Sequence, residues 1–182
     1  GSQFGNWAFG NSFLRAPLAS GQTLVSCYAG NPPFSLHTMS MGYTIGDGLL
    51  ATQNNPNDIY LPYGPGLVST ALMGDPTLRM HMVEAPSNLQ VANNSNSVSL
   101  SWNAPTNETI VGYNIYRASS INGTFQKINN ANANTITGTS FTDNSPLSGD
   151  NFYLVKTLKL ETSGSGTYYN LSLGILGNTN YS

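Results

Sequence analysis

Three side chains of this 182-residue sequence are of the types from which a cysteine hydrolase is built: Cys27, His37 and His81. Such chemistry needs a thiolate, an imidazole that accepts its proton, and backbone N–H groups that hold the oxyanion. Cys27 follows a strand-like run and precedes the loop at residues 30–33, where a nucleophile can be exposed. A lone cysteine after an apolar run is, however, more often a small buried hydrophobe. We therefore expect no catalytic residue here, with Cys27 as the only candidate.

The sequence contains no motif that is typical of a metal site or a nucleotide site. The two histidines stand apart, with no carboxylate at ligand spacing. Asp47, Asp58 and Asp75 lie in Gly/Asn/Pro-rich segments without an Asp-x-Asp-x-Asp run, so turn capping is the simpler role for them. Asp75 before Pro76 fits the cap of a short turn. We expect no metal and no cofactor.

Several tyrosines accompany the Pro/Gly-rich segments of the first half, and they are the candidates for binding. Tyr43, Tyr60 and Tyr63 are those that we single out. An exposed aromatic ring can stack on a sugar or anchor a partner protein. The alternative is that these rings cover a core left thin by the scarcity of regular elements.

The composition excludes several kinds of partner. Only 8% of the residues are charged, the net charge is −2, and there are six Lys plus Arg. That is too few for a phosphate footprint, so we expect no nucleic acid. The apolar run at residues 67–73 is far short of the roughly 20 residues that span a bilayer, so we expect no membrane span. Polarity comes from uncharged groups, including 23 Asn, which favours a secreted or cell-surface bacterial protein.

The elements that must position these residues fall into two parts. Seven of the ten prolines lie in residues 1–83, where the pattern predicts only a short helix within 7–18, a strand at 23–28 and a helix within 37–45. Pro86 marks the boundary. Beyond it, polar and apolar residues alternate with period two in runs separated by Asn/Ser/Gly turns, namely 97–102, 111–116, 125–128, 152–160 and 168–175. About seven short strands in that length predict a small antiparallel β-sandwich.

The second part also resembles the fibronectin type III family. The resemblance rests on Ala-Pro-Ser-Asn-Leu at 85–89, Ser-Leu-Ser-Trp-Asn-Ala-Pro at 99–105 and Gly-Tyr-Asn-Ile-Tyr-Arg at 112–117. It implies that Trp102 is the core tryptophan of the second strand and that Tyr113 is structural. It also implies that Leu147 and Tyr153, six apart, form that family's tyrosine corner.

The first part resembles the C-terminal end of a gingipain-like cysteine peptidase domain, which has a caspase-like fold. The matching strings are Phe-Leu-Arg-Ala-Pro-Leu-Ala at 13–19, Tyr-Thr-Ile-Gly at 43–46, Thr-Gln-Asn-Asn at 52–55 and Ala-Leu-Met-Gly-Asp-Pro-Thr-Leu-Arg-Met at 71–80. In that family the histidine precedes the cysteine, whereas no histidine lies upstream of Cys27. The resemblance therefore implies that the catalytic dyad belongs to an upstream portion.

Together these observations predict a mostly β chain with two domains. Residues 1–83 are expected to be a small α/β segment resembling the end of a caspase-like domain, and residues 84–182 a fibronectin type III-like antiparallel β-sandwich. The predicted function is a non-catalytic C-terminal portion of a secreted bacterial cysteine-peptidase-like protein, which supports the catalytic domain and spaces or attaches it at the cell surface. Its partner is then the upstream peptidase portion. The alternatives are a self-contained binding or adhesion module for a glycan or protein, and a plain spacer.

Overall fold

A computed structural model of the chain describes residues 8, 12–28, 34–54, 70–129, 135–164 and 166–182. The chain divides into two compact units, Gly1–His81 and Met82–Ser182.

The first unit has short elements. They are α1 (Arg15–Ala19), β1 (Val25–Tyr28), a 3-10 helix (His37–Met41), α2 (Ile45–Gln53) and β2 (Ala71–Gly74). Strands β1 and β2 pair antiparallel, with Val25 opposite Gly74 and Cys27 opposite Leu72. The described residues of this unit bury few apolar side chains, chiefly Leu14, Ile45 and Ala71.

The helix expected within residues 37–45 is divided in two. The 3-10 helix ends at Gly42, whose φ of 87° is in the left-handed region that stops a helix. The next helix then starts afresh with a capping box. The Thr44 backbone N–H donates to Asp47 Oδ2 at 2.8 Å, and the Asp47 N–H donates to Thr44 Oγ1 at 3.1 Å. Asp47 thus caps α2, the kind of role that the sequence favoured for it.

The second unit is a sandwich of two antiparallel sheets. Its strands are β3 (Ser87–Asn94), β4 (Ser97–Asn103), β5 (Gly112–Ala118), β6 (Gln126–Lys127), β7 (Ser140–Asp143), β8 (Gly149–Ser163), β9 (Gly166–Leu171) and β10 (Ile175–Tyr181). One sheet has the order β3-β4-β7, and the other has the order β10-β8-β5-β6 with β9 also paired to β8.

The core lies between the facing sides of these sheets. The buried side chains are those that alternate along β4, β5 and β8: Val98, Leu100, Trp102, Tyr113, Ile115, Tyr153 and Val155. The rings of Trp102 and Tyr113 meet edge to face with centroids 5.1 Å apart, a favourable geometry for an aromatic pair. The predicted class, a mostly β chain with a fibronectin type III-like sandwich, is confirmed.

Strand β8 is the longest element, with 15 residues. Its first half pairs with β5 on one side and β10 on the other, whereas beyond Leu158 it continues as a two-stranded ribbon with β9. We call residues 158–163 and 166–171 the ribbon. Through the sandwich, the odd-numbered residues of β8 face the core and the even-numbered ones face outward.

The single strand expected at residues 168–175 is broken by a β-bulge. Leu171 lies opposite Leu158 and Ile175 opposite Val155, so three residues on one strand face two on the other. At the bulge the Thr157 N–H donates to Ser172 Oγ at 2.9 Å in place of a ladder carbonyl. The extra residue reverses the alternation, and this turns Ile175 and Tyr181 toward the core.

The glycine at the bulge generates the first prediction. Gly174 has φ of 91°, and a Cβ there would lie 2.8 Å from the Val155 carbonyl oxygen. Gly174→Ala should therefore destabilise the second unit by about 1–3 kcal/mol. Denaturant unfolding followed by Trp102 fluorescence in a Trp7→Phe background measures this. Gly138→Ala, whose Cβ meets nothing within 4 Å, is the matched control. Equal loss in both variants would show that the bulge imposes no special constraint.

Candidate binding groove on the outer sheet face

Cys27 lies in β1 with its side chain partly buried. Burial raises the pKa of its thiol, which lowers the thiolate fraction at neutral pH. The part of the chain that the structure describes shows no hydrogen bond of Cys27 with His37 or His81. Within the described residues, the burial of Cys27 therefore acts against its activation as a nucleophile.

The other candidates from the sequence lie apart from one another. Tyr43 is 53% exposed beside the start of α2, whereas Tyr60 and Tyr63 lie outside the described residues. Asp75 Oδ1 accepts hydrogen bonds from the Thr77 hydroxyl and the Thr77 N–H, and these lower the pKa of the carboxyl. Asp75 therefore holds a turn, and across the described segments no three His, Cys, Asp or Glu side chains gather as a metal site.

A groove of about 330 Å³ crosses the outer face of the five-stranded sheet formed by β5, β6, β8, β9 and β10. Its apolar lining consists of Val111, Leu158 and Leu171, and the ring of Tyr169 stands beside them. Leu158 is opposite both Gly112 and Leu171 in the ladder, so β8 forms the floor between β5 and β9. Tyr169 is 67% exposed, the most open of the large apolar side chains of this unit.

Polar groups occupy the other side of the groove. Asn114 on β5, Lys127 on β6 and Thr135 complete the lining. Asn114 is only 7% exposed, and its Oδ1 lies 3.5 Å from Asn129 Nδ2. The groove therefore combines an apolar floor, an exposed aromatic ring and a few polar groups, which is the usual composition of a ligand site. At about 330 Å³, its volume is at the small end of such sites.

This groove could not be recognised in the sequence. Its lining comes from four separate strands and from two loop residues, Val111 and Thr135, and these meet only through the register of β8 with both of its neighbours. The available signal was the apolar side chains at 158, 160, 169 and 171, which occupy alternate positions near the facing ends of two successive runs, where the outward side of a sheet usually carries polar residues.

An ion cluster secures the ribbon that carries Tyr169. Lys159 Nζ lies 2.8 Å from Glu108 Oε2 and 3.3 Å from Glu161 Oε2. The hydrogen bond from Lys159 holds the pKa of Glu108 below its ordinary value, and the same bond raises the pKa of Lys159. Glu108 precedes β5, so the cluster ties the first residues of the ribbon to the body of the sandwich.

This cluster generates a pH prediction. Because its folded pKa is lowered, Glu108 contributes stability at neutral pH that is lost as the pH falls below about 4.3 through the folded value. Glu108→Gln should cost up to about 1 kcal/mol at pH 7 and progressively less as the pH falls below about 4.3. Denaturant unfolding of both proteins across this range tests it, and 1 M salt should shrink the difference. A difference independent of pH would show that packing, not charge, sets the role of Glu108.

The residues that line a second depression, of about 410 Å³, hold the fold together. The guanidinium group of Arg117 in its lining is already hydrogen-bonded, because Nη1 lies 2.6 Å from both Asp143 Oδ2 and the Ser145 carbonyl oxygen. The Tyr153 hydroxyl donates to the same Asp143 oxygen at 2.9 Å, and burial together with Asp143 raises the pKa of Tyr153. This network joins the two sheets through β5, β7 and β8.

The two residues expected to form the tyrosine corner differ from each other in burial. Tyr153 is fully buried and bonds the Asp143 carboxylate, whereas Leu147 is 37% exposed. The loop at Leu147 is held by the Asn151 side chain, which accepts from the Leu147 N–H at 2.9 Å and donates to the Leu147 carbonyl at 2.8 Å.

Two facing antiparallel sheets with this strand order define the second unit as an immunoglobulin-like β-sandwich. Residues 84–170 match the family model of the fibronectin type III domain. This part of the chain is a fibronectin type III domain, and such a module can serve as a spacer or a binding module. The match ends before β10, the strand that follows the bulge.

Solved structures of fibronectin type III proteins also match part of the chain. A fibronectin type III-like protein from Clostridium thermocellum is 24% identical, with 50% of this chain and 86% of that chain covered and a TM-score of 0.35. A fibronectin type III domain of human collagen XX is also 24% identical, with coverage of 59% and 100% and a TM-score of 0.35. No curated protein matches the chain. Within the described residues, no helix is long and apolar enough to cross a bilayer.

Proposed function

We propose that the chain is a non-catalytic part of a secreted or cell-surface protein and that its fibronectin type III domain is a binding module. The observation that carries this proposal is the groove on the outer sheet face, with the exposed Tyr169 ring over an apolar floor. The buried side chains of Asn129, Asp143 and Asn151 form hydrogen bonds within the fold, whereas the groove's aromatic ring faces solvent.

The placement of the groove supports a binding role. One wall comes from β9 of the ribbon, with Tyr169 and Leu171, and the ribbon extends past Gly112, the first residue of β5. An exposed apolar side chain continues the same face beyond the groove at Leu160. A contiguous exposed apolar surface with polar groups at its rim is typical of an interaction site.

A fragment screen tests the groove without knowledge of the ligand. In the full chain, two-dimensional NMR with a library of small aromatic and polyol fragments should shift the backbone amides of Asn114, Leu158 and Tyr169. Tyr169→Ala should weaken the fragments at least tenfold. Tyr43→Ala, which removes another exposed tyrosine, should leave them unchanged. Fragments that perturb only the surroundings of Tyr43, or none of the groove amides, would overturn the proposal.

A second candidate function is support of an upstream peptidase domain of gingipain type. The first unit favours it through its exposed apolar side chains, which suit a surface that another domain covers. The most exposed are Phe13, Leu24, Leu50 and Met80, with exposed fractions of 60%, 67%, 56% and 62%. The upstream domain that this chain supports would supply the catalytic His and Cys.

Intact mass and sedimentation of the protein from its native source test this second function. The expected result is a tightly associated or covalently continuous upstream polypeptide that carries a His and a Cys, with peptidase activity in the complex only. A compact monomer of 19.4 kDa with no such partner would contradict it and leave the binding module.

A further inference from the structure

The charge of the groove narrows the chemistry of its ligand. Among the described residues that line it, Lys127 is the only charged one. The second unit as a whole is acidic, with four Lys plus Arg against five Asp plus Glu among residues 82–182. Of those cations, Arg117 is paired with Asp143 and Lys159 with two glutamates. A single ammonium group over an apolar floor complements a ligand with one negative charge in each recognised unit.

The main-chain hydrogen-bonding groups in the groove floor are already paired with neighbouring strands. At Leu158, strand β8 pairs with β5 on one side and with β9 on the other, so the N–H and C=O groups of the groove floor serve the ladder. A peptide laid flat on this floor finds no main-chain partners there, because peptide strands bind at sheet edges. The ligand must be recognised by side chains alone: a ring face, an amide, a hydroxyl and an ammonium.

These four groups suit a sugar ring with a carboxylate. The Tyr169 ring offers a flat face to the C–H groups of a sugar, while Asn114 and Thr135 offer hydrogen-bonding groups for its hydroxyls. Heavily sulphated polymers need clusters of Lys and Arg, and Lys127 alone does not make one. A volume of about 330 Å³ accepts a short stretch of such a chain at a time.

We propose that the outer-face groove binds a glycan that contains uronic acid residues, with the carboxylate on Lys127 and the sugar face on Tyr169. This inference rests on the proposed binding function and adds the class of ligand. Ionic recognition at Lys127 gives the complex a salt dependence, and stacking on Tyr169 gives it a salt-independent part.

Titration of the full chain with three oligosaccharide probes tests the inference. The probes are oligomers of galacturonic acid, matched neutral galactose oligomers and sulphated galactose oligomers, studied by NMR and calorimetry. The uronic acid oligomers should bind at least tenfold more tightly than the neutral ones, and more tightly than the sulphated ones. Lys127→Gln should reduce their affinity to that of the neutral oligomers, and Tyr169→Ala should abolish binding of both.

Lys156→Gln is the matched control, because Lys156 lies on the same sheet face, 5.9 Å over the Tyr116 ring and outside the groove lining. It should leave the uronic acid affinity within twofold of the unmodified chain. Equal affinity for neutral and acidic oligomers, or preference for the sulphated ones, would overturn the ligand class and leave the groove as a binding site. Fragments that bind in the groove when no oligosaccharide does would likewise overturn only the glycan. Failure of the fragments themselves would overturn the proposed function.

Discussion

The alternation of side chains along one long strand is the constraint on which the sandwich and the groove both depend. Strand β8 runs for 15 residues, well beyond the usual strand length, and pairs with β5, β9 and β10. Because successive side chains point to opposite faces, placing Tyr153 and Val155 in the core commits Leu154 and Lys156 to the outside. The same register brings the floor of the groove together, so core packing and binding surface cannot vary independently.

Much of the sandwich could be predicted from the sequence, for a physical reason. A strand with one buried face shows the period-two pattern locally, and the core residues Val98, Leu100 and Trp102 are read from three alternate positions. The break between β9 and β10 could not be read this way. A bulge is a property of two strands in register, and the local pattern at residues 168–175 looks continuous.

The groove and the elements of the first unit could not be predicted from the sequence, and the reasons are related. The groove joins Lys127, Thr135 and Tyr169, which are far apart in the sequence and meet through strand pairing. In the first unit, short elements carry too few residues for a clear period, so the helix expected within 37–45 was placed across the Gly42 break. The tyrosines singled out there were chosen by residue type, whereas Tyr169 is identified by its position on a sheet face.

The bulge at Ser172 to Gly174 also bears on how this domain can change during evolution. After the ribbon, the bulge determines anew which side chains of β10 face the core. Ile175 and Tyr181 hold that register by packing inward. Residues added in matched pairs at the tip of the ribbon therefore lengthen it without displacing the strand that follows. Relatives of this domain can acquire arms of different reach by small insertions, while the sandwich that carries them keeps the same interior.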